Sequence, residues 1–500
     1  MGATKNSTPM VPEKSVVASE MMSRLALGVT IIKKETKSIK RGFSLYLSFR
    51  TKVRNLFCHS DQLPERSLRE AKNPYLMMGC RNEFSMTISI YLTILCSIKI
   101  HQQLVPFLPK PNLRKMKNLL FTTALIIALA TTFQTKAQEL NFPERYETWK
   151  TAAKNQFKFD EAALDKAVEY ANANEYSGSR DIRQAILEGF KREPFHEILG
   201  PTKKRGGPAG MIMKNGYVLA SWGDTKRVDM TFSVTKSFLS TVAGLAEDQG
   251  LIKDTKDRVG DYIWDGTFDG AHNSKITWEH LLQQNSDWSG ELWGGKDWAD
   301  RPPSEGGLDD WKFRELNEPG TVMEYNDVRV NVLAYSLTHV WRKPVPMVLK
   351  EEVMDKIGAT TTWRWFGYEN AWTVIDGMKM KSVTGGGHSG AGLFISTEDM
   401  ARFGTLFLNN GKWKDQQIIS EDWIKKATTP SVPNVNYGYM WWLNQQGGRH
   451  WDGVPEHVFY AAGFGGNFIV VDQKSGLVIV TRWLEPSKIG EFVKQVYEAL

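Results

Sequence analysis

Residues 138–500 predict an α+β fold, an antiparallel sheet flanked by terminal helices plus a mostly helical part. Three observations lead there: strand hairpins near both ends of the stretch, helical periodicity between them, and a helix pattern at each terminus. In chain order, Asp160–Tyr170 has the apolar spacing of an amphipathic helix. Gly210–Met213 and Tyr217–Ser221 are apolar-rich runs joined around Asn215-Gly216, the strongest short hairpin signal. Phe232 then opens a helix whose apolar positions Phe238, Val242 and Leu245 are spaced four and three apart, and Gly250 ends it. Trp278–Gln284, Val328–Trp341 and Thr397–Leu408 are further helical stretches. The last begins with the capping pattern Ser396-Thr397-Glu398-Asp399 and stops at Asn409-Asn410-Gly411. Phe468–Val471 and Leu477–Thr481 form a second hairpin across Asp472–Gly476, and a helix over Ile489–Leu500 closes the chain. The sheet part is therefore expected from about 138–250 and 385–500, and the helical part from about 251–384.

Charge and composition divide the chain before residue 138. Of 63 Lys+Arg and 56 Asp+Glu, residues 1–115 hold 19 and 7, a net of +12, whereas residues 138–500 carry a net of −7. A mildly acidic main body has no electrostatic footprint for nucleic acid, so the overall +7 is not a sign of DNA or RNA binding. All three cysteines (Cys58, Cys80, Cys96) precede residue 116, and all 18 tryptophans follow residue 137. At the break, Arg114, Lys115 and Lys117 surround Met116, an apolar run spans Leu119–Phe133, and Thr135-Lys136-Ala137 offers a small-x-small cleavage site. This is a signal-peptide pattern, too short for a comfortable membrane span. Residues 1–115 read as an upstream extension and 116–137 as a signal peptide. The expected mature chain of 363 residues begins at Gln138, periplasmic or secreted, with no stable membrane anchor after cleavage. Without cysteine, it needs no disulfide in an oxidising compartment.

Three short motifs carry chemistry. Ser233-Val234-Thr235-Lys236 places a hydroxyl in the first turn of a helix and an ammonium three residues on, on the same face. Free N–H groups at the helix start favour the negative charge that develops when the serine attacks a carbonyl. Alone the motif is weak, since average usage yields roughly one S-x-x-K by chance in a chain this long, although here it is the only one after residue 137. Tyr325-Asn326-Asp327 lies 92 residues after Ser233, at a helix start. A tyrosine beside a lysine ammonium is a plausible general base, and Asp327 could hold Lys236 charged. Alone, this reads better as an ordinary tyrosine at a helix start with Asp327 as a cap. Tyr460-Ala461-Ala462-Gly463-Phe464-Gly465-Gly466-Asn467 precedes a strand. Its small residues Gly465, Gly466 and Asn467 would let a substrate lie along the strand edge, where a backbone N–H completes an oxyanion hole with that of Ser233. Alone, it is a glycine-rich turn.

In this order and spacing, the three motifs resemble those of the serine hydrolases related to class C β-lactamases and penicillin-binding D-Ala-D-Ala peptidases. The resemblance extends over most of 205–483. It includes Ile276-Thr277-Trp278-Glu279-His280-Leu281-Leu282, Glu318-Pro319-Gly320-Thr321, Gly390–Thr397 and Tyr437-Gly438-Tyr439-Met440-Trp441-Trp442. It implies a β-lactamase/penicillin-binding-protein-like fold, with Ser233, Lys236 and Tyr325 catalytic at the junction of a sheet domain and a helical domain. Two departures matter. The family's second motif usually ends in Asn or Ser, where this chain has Asp327. Its third usually carries Lys or His to receive a substrate carboxylate, and Phe464 is the expected occupant here. An esterase or amidase branch, including relatives of 6-aminohexanoate-dimer hydrolase, therefore fits better than β-lactamase or D-Ala-D-Ala peptidase. The expected substrate is a small-molecule or peptide-like ester or amide.

Other readings compete with this one. Gly387-His388-Ser389-Gly390-Ala391 nearly matches the nucleophile elbow of α/β-hydrolases, but that elbow needs a buried strand before the serine and a helix directly after it. Met378–Thr384 is polar and the next helix begins near Thr397, so His388 is kept only as a cleft or loop residue. The remaining histidines show no H-E-x-x-H spacing, and no metal or cofactor is expected. Trp288, Trp293 and Trp298 follow the Leu281-Leu282 helix and could wall a cleft, which admits a non-catalytic glycan- or peptide-binding protein on the same scaffold.

Overall fold

The computed structural model describes residues 140–500. The extension assigned to 1–115, the signal segment at 116–137 and the three cysteines lie outside the described residues. In chain order the framework consists of helices α1 (Glu161–Ala173) and α2 (Ile182–Gly189), strands β1 (Ala209–Lys214), β2 (Tyr217–Trp222) and β3 (Asp229–Met230), and helices α3 (Thr235–Asp248), α4 (Trp278–Leu282) and α5 (Asp327–Trp341). Strands β4 (Arg364–Phe366) and β5 (Gly392–Ile395), helix α6 (Thr397–Leu408), strands β6 (Trp442–Leu443), β7 (Phe459–Gly463), β8 (Asn467–Asp472) and β9 (Leu477–Arg482), and helix α7 (Ile489–Ala499) complete it. The described residues belong to one compact unit.

Asn215 and Gly216 both take left-handed backbone, φ 48° and 75°, which is what a two-residue turn needs to match the twist of β1 and β2. That hairpin joins the second one through β1 and β9, with Ala209 opposite Arg482 and Lys214 opposite Leu477. The result is one antiparallel sheet in the order β6-β7-β8-β9-β1-β2. Period-two alternation sends Met211, Met213, Val478 and Val480 into one core with Phe238 of α3 and Phe403 of α6. Ile212, Val470 and Ile479 go to the opposite core, with Leu164 of α1 and Phe492 of α7. Because helices cover both faces, β8 and β9 are buried along their full length.

The region 251–384 is less purely helical than its periodicity predicts. Besides α4 and α5 it holds hairpins at Glu291–Lys296 and Trp372–Lys381, and β4 joins β5 and β3 in a small three-stranded sheet. Trp372–Ile375 alternates exposed and buried positions, as a half-buried strand should. Among the described residues, no helix is long and apolar enough to cross a membrane.

Candidate active site

Strand β3 and the following turn deliver Ser233. Thr231 N–H bonds the Leu393 carbonyl at 2.9 Å, and a single 3₁₀ turn, Phe232–Val234, leads into α3. Phe232 is held at φ 50°, a conformation that a bulky side chain rarely adopts, by packing against Phe464 and Trp483. One helical turn on, Lys236 is 1% exposed. Its Nζ donates to Ser233 Oγ at 2.9 Å and to Asp327 Oδ1 at 2.6 Å. Asp327 begins α5, where Asn326, not Asp327, is the cap and accepts from the Arg329 N–H at 3.1 Å. The Asp327 N–H is taken instead by the Asp300 carboxylate.

The other Asp327 oxygen accepts from Arg301 Nη2 at 2.6 Å, and Arg301 also pairs with Asp300 Oδ1 at 2.5 Å. Tyr325 lies between these cations. Lys236 Nζ is 4.8 Å and Arg301 Cζ 5.2 Å from its ring centroid, and Trp442 stacks on the ring at 5.8 Å. Burial pushes the Asp327 carboxyl up, but Lys236, Arg301 and His388 outweigh it and hold it well below the usual carboxylate range. Burial likewise pushes the Lys236 ammonium down, and Asp327 with Tyr325 more than reverses this, so it is raised. Lys236 is therefore a charged donor throughout the neutral range.

His388 stands behind Asp327. Its Nε2 contacts Glu193 Oε2 at 2.5 Å, and its Nδ1 is 3.3 Å from Arg301 Nη2 and 3.5 Å from Asp327 Oδ2. Two groups here bring potential metal ligands within 4.8 Å of one another: Glu193, His196 and His388, and Asp300, Asp327 and His388. In the first, Glu193 and His388 already bond each other. In the second, the carboxylates already serve Lys236, Arg301 and backbone N–H groups. Neither arrangement calls for an ion.

The third motif reaches the cavity through Gly463, Phe464 and Gly465. Gly465 and Gly466 form the β7–β8 turn and face Trp483 and Leu484, while Asn467 is fully buried and donates to the Phe464 carbonyl at 2.7 Å. The small residue against the serine is Gly463, where a Cβ would stand 2.2 Å from the Thr231 carbonyl and 3.2 Å from Ser233 N. Ser233, Tyr325, Gly463, Phe464 and His388 line one cavity of about 640 Å³. Phe464 meets Tyr176, Phe190 and Phe232 there, with ring centroids 5.5, 5.7 and 5.0 Å away.

Trp288 does not line the cavity. It is 3% exposed in the main core, and its indole N–H donates to the Thr267 carbonyl at 2.8 Å. Trp293 packs on Tyr335 and Trp298 on Phe195 instead. The tryptophans of the cavity are Trp442 and Trp451. The Gly387–Ala391 segment is no nucleophile elbow: the strand before it, Met378–Lys381, is largely exposed, and β5 rather than a helix follows Ser389. Ser389 is 6% exposed, with Oγ 3.4 Å from His196 Nε2.

Sequence reasoning missed Arg301, Arg449 and Glu193. Arg301 stands in a loop with no periodic pattern, Glu193 follows α2, and Arg449 follows Gly447-Gly448. Tertiary packing alone brings them to the serine.

The family model described as Beta-lactamase matches residues 201–488. Similar solved structures include a β-lactamase from Mycobacterium bovis, 21% identical, with a TM-score of 0.40, covering 62% of this chain and 95% of that one. A β-lactamase/D-alanine carboxypeptidase from Pseudomonas syringae is 12% identical, with a TM-score of 0.45 and coverage of 67% and 99%. A family VIII carboxylesterase is 18% identical, with a TM-score of 0.42 and coverage of 64% and 96%.

Proposed function

Because the chain belongs to the β-lactamase family and is a serine hydrolase of that type, we propose that it cleaves an ester or amide through an acyl-enzyme on Ser233. The observation that carries this reading is the 2.9 Å contact of Lys236 Nζ with Ser233 Oγ on the wall of the 640 Å³ cavity. An ammonium has three donors and no acceptor, so Lys236, kept charged by Asp327, cannot take the serine proton. Tyr325, whose ring centroid lies 4.8 Å from Lys236 Nζ and 5.2 Å from Arg301 Cζ, is the group left to do so. Ser233 Oγ attacks the carbonyl carbon as its proton passes to Tyr325. The oxyanion is received by the Ser233 N–H and a backbone N–H of the Ala462–Phe464 edge. The proton on Tyr325 then goes to the leaving alkoxide or amine. Water, activated by the same pair, releases the acid and restores Ser233.

The test is labelling of the purified protein with a serine-directed phosphonate, followed by peptide mapping and a comparison of substrates. Modification is expected on Ser233 and nowhere on Ser389. A short-chain aryl ester should turn over faster than a cephalosporin, since Phe464 brings no cation beside the scissile bond. A label on Ser389 would overturn the assignment of the nucleophile, and faster cephalosporin hydrolysis would move the function to the β-lactamase branch.

A further inference from the structure

Behind Asp327 lies a buried acid–imidazole pair that none of the proposed steps uses. The side chains of Glu193 and His388 are 6% and 7% exposed. The two Glu193 oxygens serve different loops: Oε1 accepts the backbone N–H of Arg301 at 3.2 Å, and Oε2 meets His388 Nε2 at 2.5 Å. Arg301 is held there at φ 53°, a left-handed backbone that a non-glycine residue keeps only where its surroundings fix it. A carboxylate only accepts, so His388 Nε2 carries the hydrogen. Arg301 Nη2 only donates, and it stands 3.3 Å from His388 Nδ1, closer than the 3.5 Å of Asp327 Oδ2 from the same atom. In the neutral range Nδ1 is therefore the bare nitrogen and accepts from the guanidinium. Phe190 packs on the imidazole with ring centroids 4.0 Å apart. The same Nη2 donates to Asp327 Oδ2 at 2.6 Å, Asp327 Oδ1 accepts from Lys236, and Lys236 donates to Ser233 Oγ. Hydrogen bonds thus run unbroken from Glu193 to the nucleophile.

We propose that Glu193 and His388 are positioning residues of the hydrolase. Glu193 fixes the Arg301 backbone directly and the Arg301 guanidinium through the His388 tautomer, so that Arg301 stays on Asp327 and Lys236 stays on Ser233. The proposal rests on the serine-hydrolase reading of Ser233. It also gives a reason for the departure at Asp327, where the related motif usually has Asn or Ser. A carboxylate there has a second charged oxygen to satisfy, Arg301 supplies the donor, and Glu193 with His388 keeps that donor in place.

Three single variants of the full-length protein test the proposal, read with a short-chain aryl ester and with the rate of Ser233 labelling by a phosphonate. Glu193→Gln replaces one oxygen by an amide N–H, which must face either the Arg301 N–H or the His388 Nε2–H, donor against donor. Its kcat and its labelling rate should fall roughly ten- to hundredfold with KM little changed. That is the scale of a displacement of about 1 Å at catalytic groups, lessened because Asp300 still holds Arg301 Nη1. His388→Gln keeps a donor for Glu193 but offers Arg301 Nη2 no acceptor. His388→Asn loses Glu193 but carries an oxygen close to where Nδ1 stood. Both should fall below the wild type in kcat, and His388→Asn should be the more active of the two. The opposite order is expected if His388 merely ties its loop to Glu193. Full activity in Glu193→Gln, or His388→Gln at least as active as His388→Asn, would overturn the positioning role while leaving the hydrolase intact. If Glu193→Gln shows no cooperative melt, the order of the two His388 variants decides alone. If the wild type cleaves no ester and Ser233 takes no label, the positioning role falls together with the reading beneath it.

Discussion

Ser233 is surrounded by groups whose charges depend on one another. If Tyr325 is the base proposed above, Tyr325→Phe and Lys236→Ala should each lower kcat by roughly 10²–10⁴, the range of general acid–base catalysis, and the double variant should be little worse than either, because a base and its cation act as one unit. Additive losses in steady-state kinetics would separate the two residues. The Lys236–Asp327 pair also carries stability, with 1% and 4% of the side chains exposed. Asp327 is held below its ordinary value, so its contribution is present above about pH 4 and is lost as acid drives the folded carboxyl to protonate. Lys236 is raised, so its contribution is present below about pH 10 and lost as pH climbs through the raised value. Asp327→Asn should cost about 3–5 kcal/mol near neutrality, since it strands a buried ammonium. Thermal melts from pH 3 to pH 7 should then show a flatter acid limb for the variant than for the wild type. Equal slopes would mean that the pair is not what acid breaks.

At the scale of elements, the site is a seam between the start of α3, the start of α5, the edge of β7 and the loop before β5. Gly386 in that loop passes so close to the ion pair that a Cβ would stand 1.9 Å from Asp327 Oδ1 and 2.6 Å from Lys236 Nζ. Gly386→Ala must therefore displace the carboxylate, the ammonium or the loop. Displacements of about 1 Å at catalytic groups cost on the order of 10²-fold, and a loss of that size in kcat is expected with a cooperative melt retained. Activity near the wild-type level would show that the loop yields without disturbing the pair. Gly463 has the matching role on the strand side, against the Thr231 carbonyl.

Across the whole molecule, β1 is held between β2 and β9, so residues 209–214 depend on residues 477–482 for half of their pairing. Removing 477–500 deletes β9 and α7 and exposes the apolar faces of β1 and β8, although Ser233, Lys236, Tyr325 and Asp327 all remain. Such a chain should show no cooperative thermal transition by circular dichroism and no Ser233 labelling, because unpaired apolar strand edges do not persist alone in water. A truncated chain that still melts cooperatively and takes the label would show that the sheet is not the scaffold of the site.

Both hairpins, the helix starting at Phe232, the capped helix at Ser396 and the S-x-x-K pair were legible in the sequence, because each rests on local periodicity or turn chemistry within a few residues. So was the pairing of Lys236 with Asp327, once the motif order was read. The mixed character of residues 251–384 was not legible, since short strands such as Arg364–Phe366 form only when a partner, here β5, is already in place. Trp288 shows the same limit: an indole reads alike in a cleft wall and in a core, and only packing buries it. That Gly463, rather than Gly466 or Asn467, meets Ser233 turns on where the β7 hairpin reverses against Trp483 and Leu484. Arg301, Glu193 and Arg449 lie in irregular segments with no sequence period, far from Ser233 along the chain. Local sequence thus determined the elements and the Ser233–Lys236 pair, while long-range packing decided which charges surround it.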